Sequence, residues 1–307
     1  MTAAGTPSVT AVVPTHERPA LMARAVQSVV DQTYAGDIEI LVVFDASEPV
    51  LPELELPANR TVRALVNDRT RGLAGGRNTG ILAASHEIVA FLDDDDRWHP
   101  EKLTEQVAML DRSPDALVVG CAMVVDDGTR LHERLLPHAV VTHHELLHDR
   151  LAGLHSSSFA VRRSALLGPL GLIDERLPRS YGEDYDLLLR AAAISPVVVV
   201  NRPLVTVSWQ GHSHFVGRWG DYAAALQFLL AKHPDFATSP RAIGRIEAQV
   251  AFALAADGRR ADGARWAVRS LRHDPRQLKA WLALVVGARL VDADRVVRWA
   301  RRFGRGV

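Results

Sequence analysis

Apolar residues along this chain fall into two rhythms. In the first hundred residues, short runs that are mostly apolar, at 9–14, 38–44, 62–66 and 87–92, alternate with longer stretches at 19–32 and 73–84. In the longer stretches the apolar positions recur every three or four residues. A run with almost no polar face fits a strand covered on both sides, and the longer period fits an amphipathic helix. Strand and helix in alternation predict a parallel βαβ sheet, and Pro19 suits a first helical turn, which needs no amide donor. Such sheets bind ligands beyond the carboxyl ends of their strands. The edge so predicted collects Pro14, Asp45, the loop after Val66 and the residues after Leu92.

After Pro100 the rhythm changes. A helix is expected through Met109, and residues 116–125, followed by Asp126-Asp127-Gly128, read as antiparallel strands joined at a turn. The sheet is therefore expected to become mixed. Residues 157–161 read as a short strand, 183–192 as a helix, and 197–207 as strand material broken at 201–203. From Phe215 onward the pattern is helical. Residues 251–275 carry the small and aromatic spacing of one tetratricopeptide-like helix-turn-helix unit. One unit is not an array, so a terminal helical appendage is expected. The domains follow as 1–215, with a nucleotide-binding half at 1–100 and an acceptor half at 101–215, and a helical appendage at 216–307.

Composition narrows the class. The chain has 307 residues, enough for a large core, and no stretch near the roughly 20 uninterrupted apolar residues of a membrane span. Its first residues lack a basic region followed by a hydrophobic run, so the expected compartment is the cytoplasm. The lone Cys121 rules out an internal disulfide or a cysteine zinc cluster and reads as core. Net charge is zero but uneven. From Asp257 to the end, 13 Arg and Lys face five Asp, a surplus of eight that the rest of the chain balances. A basic tail of this kind is a solvated helix face or a contact with an anionic membrane or polyanion. The preference for Arg over Lys points to a GC-rich bacterial source.

The sharpest chemical feature is the run Asp93-Asp94-Asp95-Asp96 at the end of the fourth predicted strand. Like charges packed at a strand end raise the energy of the fold unless something offsets them. A divalent cation such as Mg²⁺ or Mn²⁺, shared with substrate phosphates, would do so. An acidic turn before a helix is the plain alternative.

The order of landmarks resembles family-two glycosyltransferases, the inverting nucleotide-sugar enzymes of the GT-A fold, over residues 8 to about 215. Val12-Val13-Pro14-Thr15-His16-Glu17-Arg18-Pro19 is similar to their opening strand and loop. Leu41 to Ser47 is similar to their second strand with its base-binding aspartate, Asp45. Gly72 to Gly80 is similar to their loop and helix start, Phe91 to Pro100 to their Asp-x-Asp strand end, and Gly182-Glu183-Asp184-Tyr185-Asp186-Leu187 to their acidic motif. The resemblance implies an α/β GT-A fold, a Rossmann-like, mostly parallel mixed sheet flanked by helices, here with an all-helical C-terminal appendage. It also implies transfer of a sugar from a nucleoside-diphosphate sugar to an acceptor hydroxyl. The donor is in the first place a UDP-sugar, with dTDP- and GDP-sugars as alternatives. The acceptor is a glycan, a lipid-linked molecule or a small molecule; no nucleic acid is expected. Phe44 departs from the family pattern, standing where an aspartate is usual.

Carried over residue by residue, the resemblance makes Asp184 the general base and places Pro14, Thr15, Arg18, Asp45, Asp68, Arg77, Asp93 and Asp94 around the donor. The metal falls to Asp95 and Asp93, with His212 near the diphosphate. Such an ion would act as Lewis acid and template as charge builds on the leaving group, and Arg77 would add a fixed cation. The bland reading of Glu183-Asp184 is helix capping. A peripheral membrane contact through the basic C-terminal helices is a further expectation, suggested by Trp266, Trp281 and Trp299 among the arginines. Two other functions stand as alternatives: a sugar-phosphate nucleotidyltransferase, and a non-catalytic scaffold using its helical tail. A fourth signal, His144-Glu145-Leu146-Leu147-His148, matches the zincin pattern but lacks its extension, since Leu151 and Leu154 stand where a metzincin needs glycine and histidine.

Overall fold

A computed structural model describes residues 6–209 and 218–302. The strands are β1 (Val9–Thr15), β2 (Ile38–Phe44), β3 (Arg60–Val66), β4 (Ile88–Phe91), β5 (Arg97–Trp98), β6 (Val118–Asp126), β7 (Leu131–Arg134), β8 (Val140–Val141), β9 (Ala160–Arg162) and β10 (Val197–Ser208). The helices are α1 (Pro19–Val30), α2 (Leu73–Ala83), α3 (Lys102–Arg112), α4 (His143–His148), α5 (Arg163–Leu166), α6 (Glu183–Ile194), α7 (Trp219–Lys232), α8 (Pro240–Ala256), α9 (Arg260–His273), α10 (Leu278–Gly287) and α11 (Ala293–Arg302). The chain divides into two compact units. One comprises the described residues of 1–146, 153–175 and 183–210; the other comprises those of 147–152, 176–182 and 211–307.

The first unit is built on one mixed sheet in the order β3-β2-β1-β4-β9-β6-β10-β5, with β7 on β6 and β8 on β10. Strands β3, β2, β1 and β4 are parallel, as their runs of apolar residues predict, and every residue of β1 and β2 is buried. Their side chains, with those of α1 and α3, form the core. The mixed character enters at β9, which runs antiparallel to both β4 and β6. The Asp-Gly turn predicted after Val125 joins β6 to β7 as a hairpin.

Two local expectations change. Residues 156–158 form a short 3₁₀ turn, and strand β9 starts only at Ala160. The Ser158 hydroxyl donates to the His155 carbonyl at 2.6 Å, a local bond of the kind that draws serine away from strand pairing. At the other site, the polar interruption at 201–203 does not end the strand. Asn201 accepts from the Leu136 amide and donates to its carbonyl, both at 2.9 Å, so its side chain substitutes for ladder bonds across a shift of register in β10.

The second unit is helical. Helices α8 and α9 pack together and α10 packs on both. At Gly263 an added Cβ would lie 3.0 Å from the Ala255 amide nitrogen, so the α8–α9 contact depends on that residue's small size. Among the described residues no helix is long and apolar enough to cross a membrane.

Candidate active site

The parallel strands deliver their polar ends to one edge, and Arg77 is the residue that ties that edge together. It lies in α2, 1% exposed, with one terminal nitrogen donating to Glu183 at the start of α6. The other donates to Asp93 at the end of β4 and, at 3.0 Å, to the Ser156 hydroxyl. Burial would lower the affinity of the guanidinium for its proton, but Asp93 and Glu183 outweigh it and hold the group charged. Burial also pushes Asp93 up, yet Arg77 and then His155 keep it below the usual carboxylate range. Glu183 is pushed toward its neutral form: burial raises it to about 7, with Arg77 opposing and Asp184 and Asp93 adding to the rise. Beside it Asp184 is 7% exposed, and its carboxylate accepts from the Tyr185 amide at 2.7 Å.

The four consecutive aspartates turn to three sets of partners. Asp93 turns to Arg77 and Ser156. Asp94 accepts from the Thr15 hydroxyl at 2.9 Å and pairs with Arg18 at 3.2 Å, and Asp95 pairs with the same arginine at 3.1 Å. Asp96, 2% exposed, accepts from the Ser157 hydroxyl at 2.5 Å and the Ser208 amide at 3.0 Å. Burial raises Asp94 and Asp95, and it raises Asp96 to about 7. His155 closes the group, with Nδ1 3.4 Å from Asp96 and Nε2 4.0 Å from Asp93. Asp93, Asp96 and His155 each offer a ligand atom, all within 4.8 Å of one another. Two carboxylates with an imidazole suit Mn²⁺ better than Mg²⁺, which prefers all-oxygen shells.

The 3₁₀ turn supports this group from below. Ser156 donates to Asp93 at 3.1 Å, and the Ser157 hydroxyl accepts from the Asp93 amide at 3.0 Å. The turn is itself pinned by Trp98 Nε1 to the Ser157 carbonyl at 2.9 Å and by Gln106 to the Ser158 carbonyl at 2.7 Å.

Beyond β2 and β3 lies a cavity of about 470 Å³ lined by Asp45, Ser47, Asn67, Asp68, Arg69 and Arg71, among others. Asp45 accepts from Asn67 at 2.7 Å and from the Gly72 amide at 2.9 Å; Gly72, at φ 112°, takes a backbone conformation that suits glycine. The loop is anchored by Glu175, which accepts from Asn78 at 2.7 Å, from Arg69 at 2.5 Å and from the Thr70 amide at 3.4 Å. Burial pushes Glu175 up, but these three bonds hold it at about 2. Gly75 serves the chain itself: an added Cβ would sit 1.8 Å from the Thr70 carbonyl oxygen.

The sequence-predicted residues thus gather in three hydrogen-bonded groups. Thr15 and Arg18 meet Asp94 and Asp95; Arg77 and Asp93 meet Glu183 beside Asp184; Asp45 and Asp68 line the cavity. Pro14 packs against α2 at Gly76. His212 lies outside the described residues. Residues that the sequence did not single out for this network, Ser156, Ser157, Asn78 and Glu175, complete it. The zincin-like stretch is explained without metal. Glu145 accepts from the Thr142 amide and hydroxyl at 2.8 and 2.7 Å, as a helix cap, and His148 meets the Ser239 hydroxyl at 2.8 Å.

The family model described as glycosyl transferase family 2 matches residues 10–167, more than half of the chain. The chain belongs to glycosyltransferase family 2. It is accordingly a nucleotide-sugar-dependent glycosyltransferase. Among curated relatives of this family-2 glycosyltransferase, UDP-Glc:alpha-D-GlcNAc-diphosphoundecaprenol beta-1,3-glucosyltransferase WfgD of Escherichia coli is 28% identical over 195 residues, 63% of this chain and 73% of WfgD. Amylovoran biosynthesis glycosyltransferase AmsB of Erwinia amylovora is 25% identical over 205 residues, 62% of this chain and 64% of its own length. Residues 1–349 of S. aureus TarS superpose with a TM-score of 0.60 at 17% identity, covering 97% of this chain and 92% of that one. A mannosyltransferase of Pyrobaculum calidifontis, solved with GDP-Man and Mn2+, gives 0.54 at 17% identity, covering 92% and 80%. These likenesses establish the GT-A fold.

Proposed function

We propose that this enzyme transfers a sugar, with inversion, from a UDP-sugar to a hydroxyl of a lipid-linked acceptor, in a reaction that depends on a divalent ion. The observation that carries the reading is the bridge from Asp93 through Arg77 to Glu183, which joins the acidic strand end to the acidic helix start in one buried network. Helix capping alone needs no such bridge. TarS has been solved with UDP and with UDP-GlcNAc, and WfgD is named for a UDP-Glc donor and a diphosphoundecaprenol-linked acceptor, which supports the donor and acceptor classes. The halves 1–100 and 101–215 are then the donor and acceptor sides, with 216–307 as appendage.

In this reading the base occupies the cavity at Asp45 and Asp68. Thr15, Arg18 and Asp94 lie along the ribose and diphosphate, with Pro14 shaping the floor. Asp93, Asp95 and His155 would be the ligands, because their side chains are 14%, 29% and 27% exposed, whereas that of Asp96 is 1% exposed. The His155 ring is held from behind by the Ser157 amide, which donates to Nδ1 at 3.3 Å, with Asp96 3.4 Å from the same nitrogen. His212 is retained as a further candidate ligand. When bound, Mn²⁺ supplies Lewis acidity at the departing diphosphate. Asp184 takes the acceptor proton as the acceptor oxygen attacks the anomeric carbon from the opposite face. The carbon–oxygen bond to phosphate breaks, and its electron pair leaves on the diphosphate. A cytoplasmic position at the inner membrane face follows from this acceptor.

The test is thermal stabilisation by UDP, GDP and dTDP, each with Mn²⁺, Mg²⁺ or EDTA, since a ligand specific for the native state raises its stability. A shift with UDP and Mn²⁺ that EDTA abolishes is expected. Equal shifts with and without metal would refute the ion.

A further inference from the structure

We infer that the α9–α10 turn of the helical unit is a docking surface for anionic lipid, formed by Arg272, Arg276, Leu278 and Trp281. The peripheral position proposed above follows from the acceptor; this surface is deduced from the helices alone. Helix α10 is apolar on two sides. Ala280, Ala283 and Val286 face the helical packing, while Leu278 and Trp281 are 60% and 50% exposed. Lys279 is the one charged residue of α10, so the outward Leu and Trp extend its apolar surface beyond the helical packing, toward a second apolar environment. The Trp281 Nε1 donates to the Pro275 carbonyl at 3.0 Å, which folds the indole back over the turn and satisfies its polar end. What remains outward is ring surface, and tryptophan ring surface beside cationic groups suits the membrane–water boundary.

The charges carried by this turn suit an anionic partner. In the helical unit two acids are already used by other arginines: Asp262 holds Arg259 and Arg265, and Glu247 holds Arg269. The side chains of Arg272 and Arg276 are exposed and pair with no carboxylate among the described residues. Lys279, in the first turn of α10, is held down to about 8 by burial and by the nearby Arg245 and Arg150, with Asp149 opposing. Asp274 is the one carboxylate of the α9–α10 turn and is engaged by the Arg276 amide at 3.0 Å and the Gln277 side chain at 2.7 Å, so the arginine side chains outnumber it. An exposed aromatic and leucine flanked by unmatched arginines is the composition of an interfacial anchor, in which apolar insertion and attraction to anionic headgroups add. A protein partner of complementary acidity, or a second copy, would bury the same residues; the charge surplus favours lipid.

The full chain is mixed with vesicles of phosphatidylcholine alone, or of phosphatidylcholine with phosphatidylglycerol, and floated on a density gradient at low and high salt, without donor or acceptor. Binding to the phosphatidylglycerol vesicles only, weakened by salt, is expected. Arg272→Glu with Arg276→Glu should lower partitioning by roughly twentyfold or more, at about fivefold per surface cation. Leu278→Ser with Trp281→Ser should lower it by a comparable factor at either salt. Both variants should keep the wild-type thermal shift with UDP and Mn²⁺, which shows that they are folded. Because flotation uses no nucleotide, loss of the donor reading and loss of this one register separately. No flotation of the wild type, or flotation unchanged in both variants, would overturn the surface. So would a wild-type dimer, unable to float, that Leu278→Ser with Trp281→Ser dissociates, which would assign the patch to a second copy.

Discussion

The acidic edge of the sheet unit and the basic surface of the helical unit use charge in opposite ways. At the edge, Asp93, Asp94, Asp96, Arg77 and Glu183 are largely buried, and each is answered by a named partner. On the helical surface, the side chains of Arg272 and Arg276 are exposed and pair with no carboxylate among the described residues. A buried charge without a partner costs several kcal/mol, so a buried network fixes one geometry, whereas exposed arginines cost little and leave their charge available to a partner outside the chain. The first arrangement positions groups for chemistry; the second suits recruitment.

The sharpest way to break this contrast is to remove Arg77. Arg77→Met should destabilise the protein by about 3–5 kcal/mol in denaturant unfolding, because two buried carboxylates lose their shared cation. Retained stability would mean that the edge is no more tightly bound than the surface. A smaller effect is expected at the supporting turn. Ser157→Ala leaves Asp96 without its hydroxyl donor and should cost about 1–3 kcal/mol, with weaker Mn²⁺ binding read by titration calorimetry. If metal affinity is unchanged, the turn does not position the cluster.

The next effect is pH-dependent. Asp96 and Glu183 are raised to about 7 in the fold, above the usual carboxylate range. A group raised in this way contributes stability that is present below its unfolded value, near 4, and is lost as pH rises through about 7. The metal-free protein should therefore melt lower at pH 8 than at pH 5.5 where these groups dominate. Stabilisation by Mn²⁺ should grow over the same interval, because a cation held beside Asp96 and Glu183 would favour their ionised forms. Melting curves at four pH values, with Mn²⁺ and with EDTA, check both signs. The smallest effect belongs to the surface: Arg265→Ala, which removes an exposed partner of Asp262, should leave the melting temperature unchanged within error.

Much of this edge was legible in the sequence because a buried parallel strand announces its own end. The apolar runs stop at Pro14, Phe44 and Leu92, and the polar residues after them lie where such strands deliver ligand groups. The supporting residues were not legible for the same physical reason reversed. Ser156 and Ser157 reach Asp93 and Asp96 only because β9 pairs antiparallel with β4, some 70 residues earlier in the chain, and no local pattern reports that register. Glu175 is similar: its three partners lie about a hundred residues away. The separate directions of Asp93 to Asp96 were hidden too, since identical residues in a tight turn differ only in backbone geometry. In the helical unit, the helix-turn-helix pair α8 and α9 was visible through its small residues, while the outward face of α10 was not, because a segment whose one charged residue is Lys279 does not say which side is covered.

The central claim is that the bridged acidic edge separates a donor-holding part from a proton-accepting carboxylate. Titration calorimetry of UDP with Mn²⁺ into wild type and Asp184→Asn, alongside transfer assays with a UDP-sugar, tests it directly. The account predicts nearly equal donor affinity and a loss of turnover of at least a hundredfold, the lower end of what a positioned base contributes. Equal losses of binding and turnover, or turnover that survives, would contradict it.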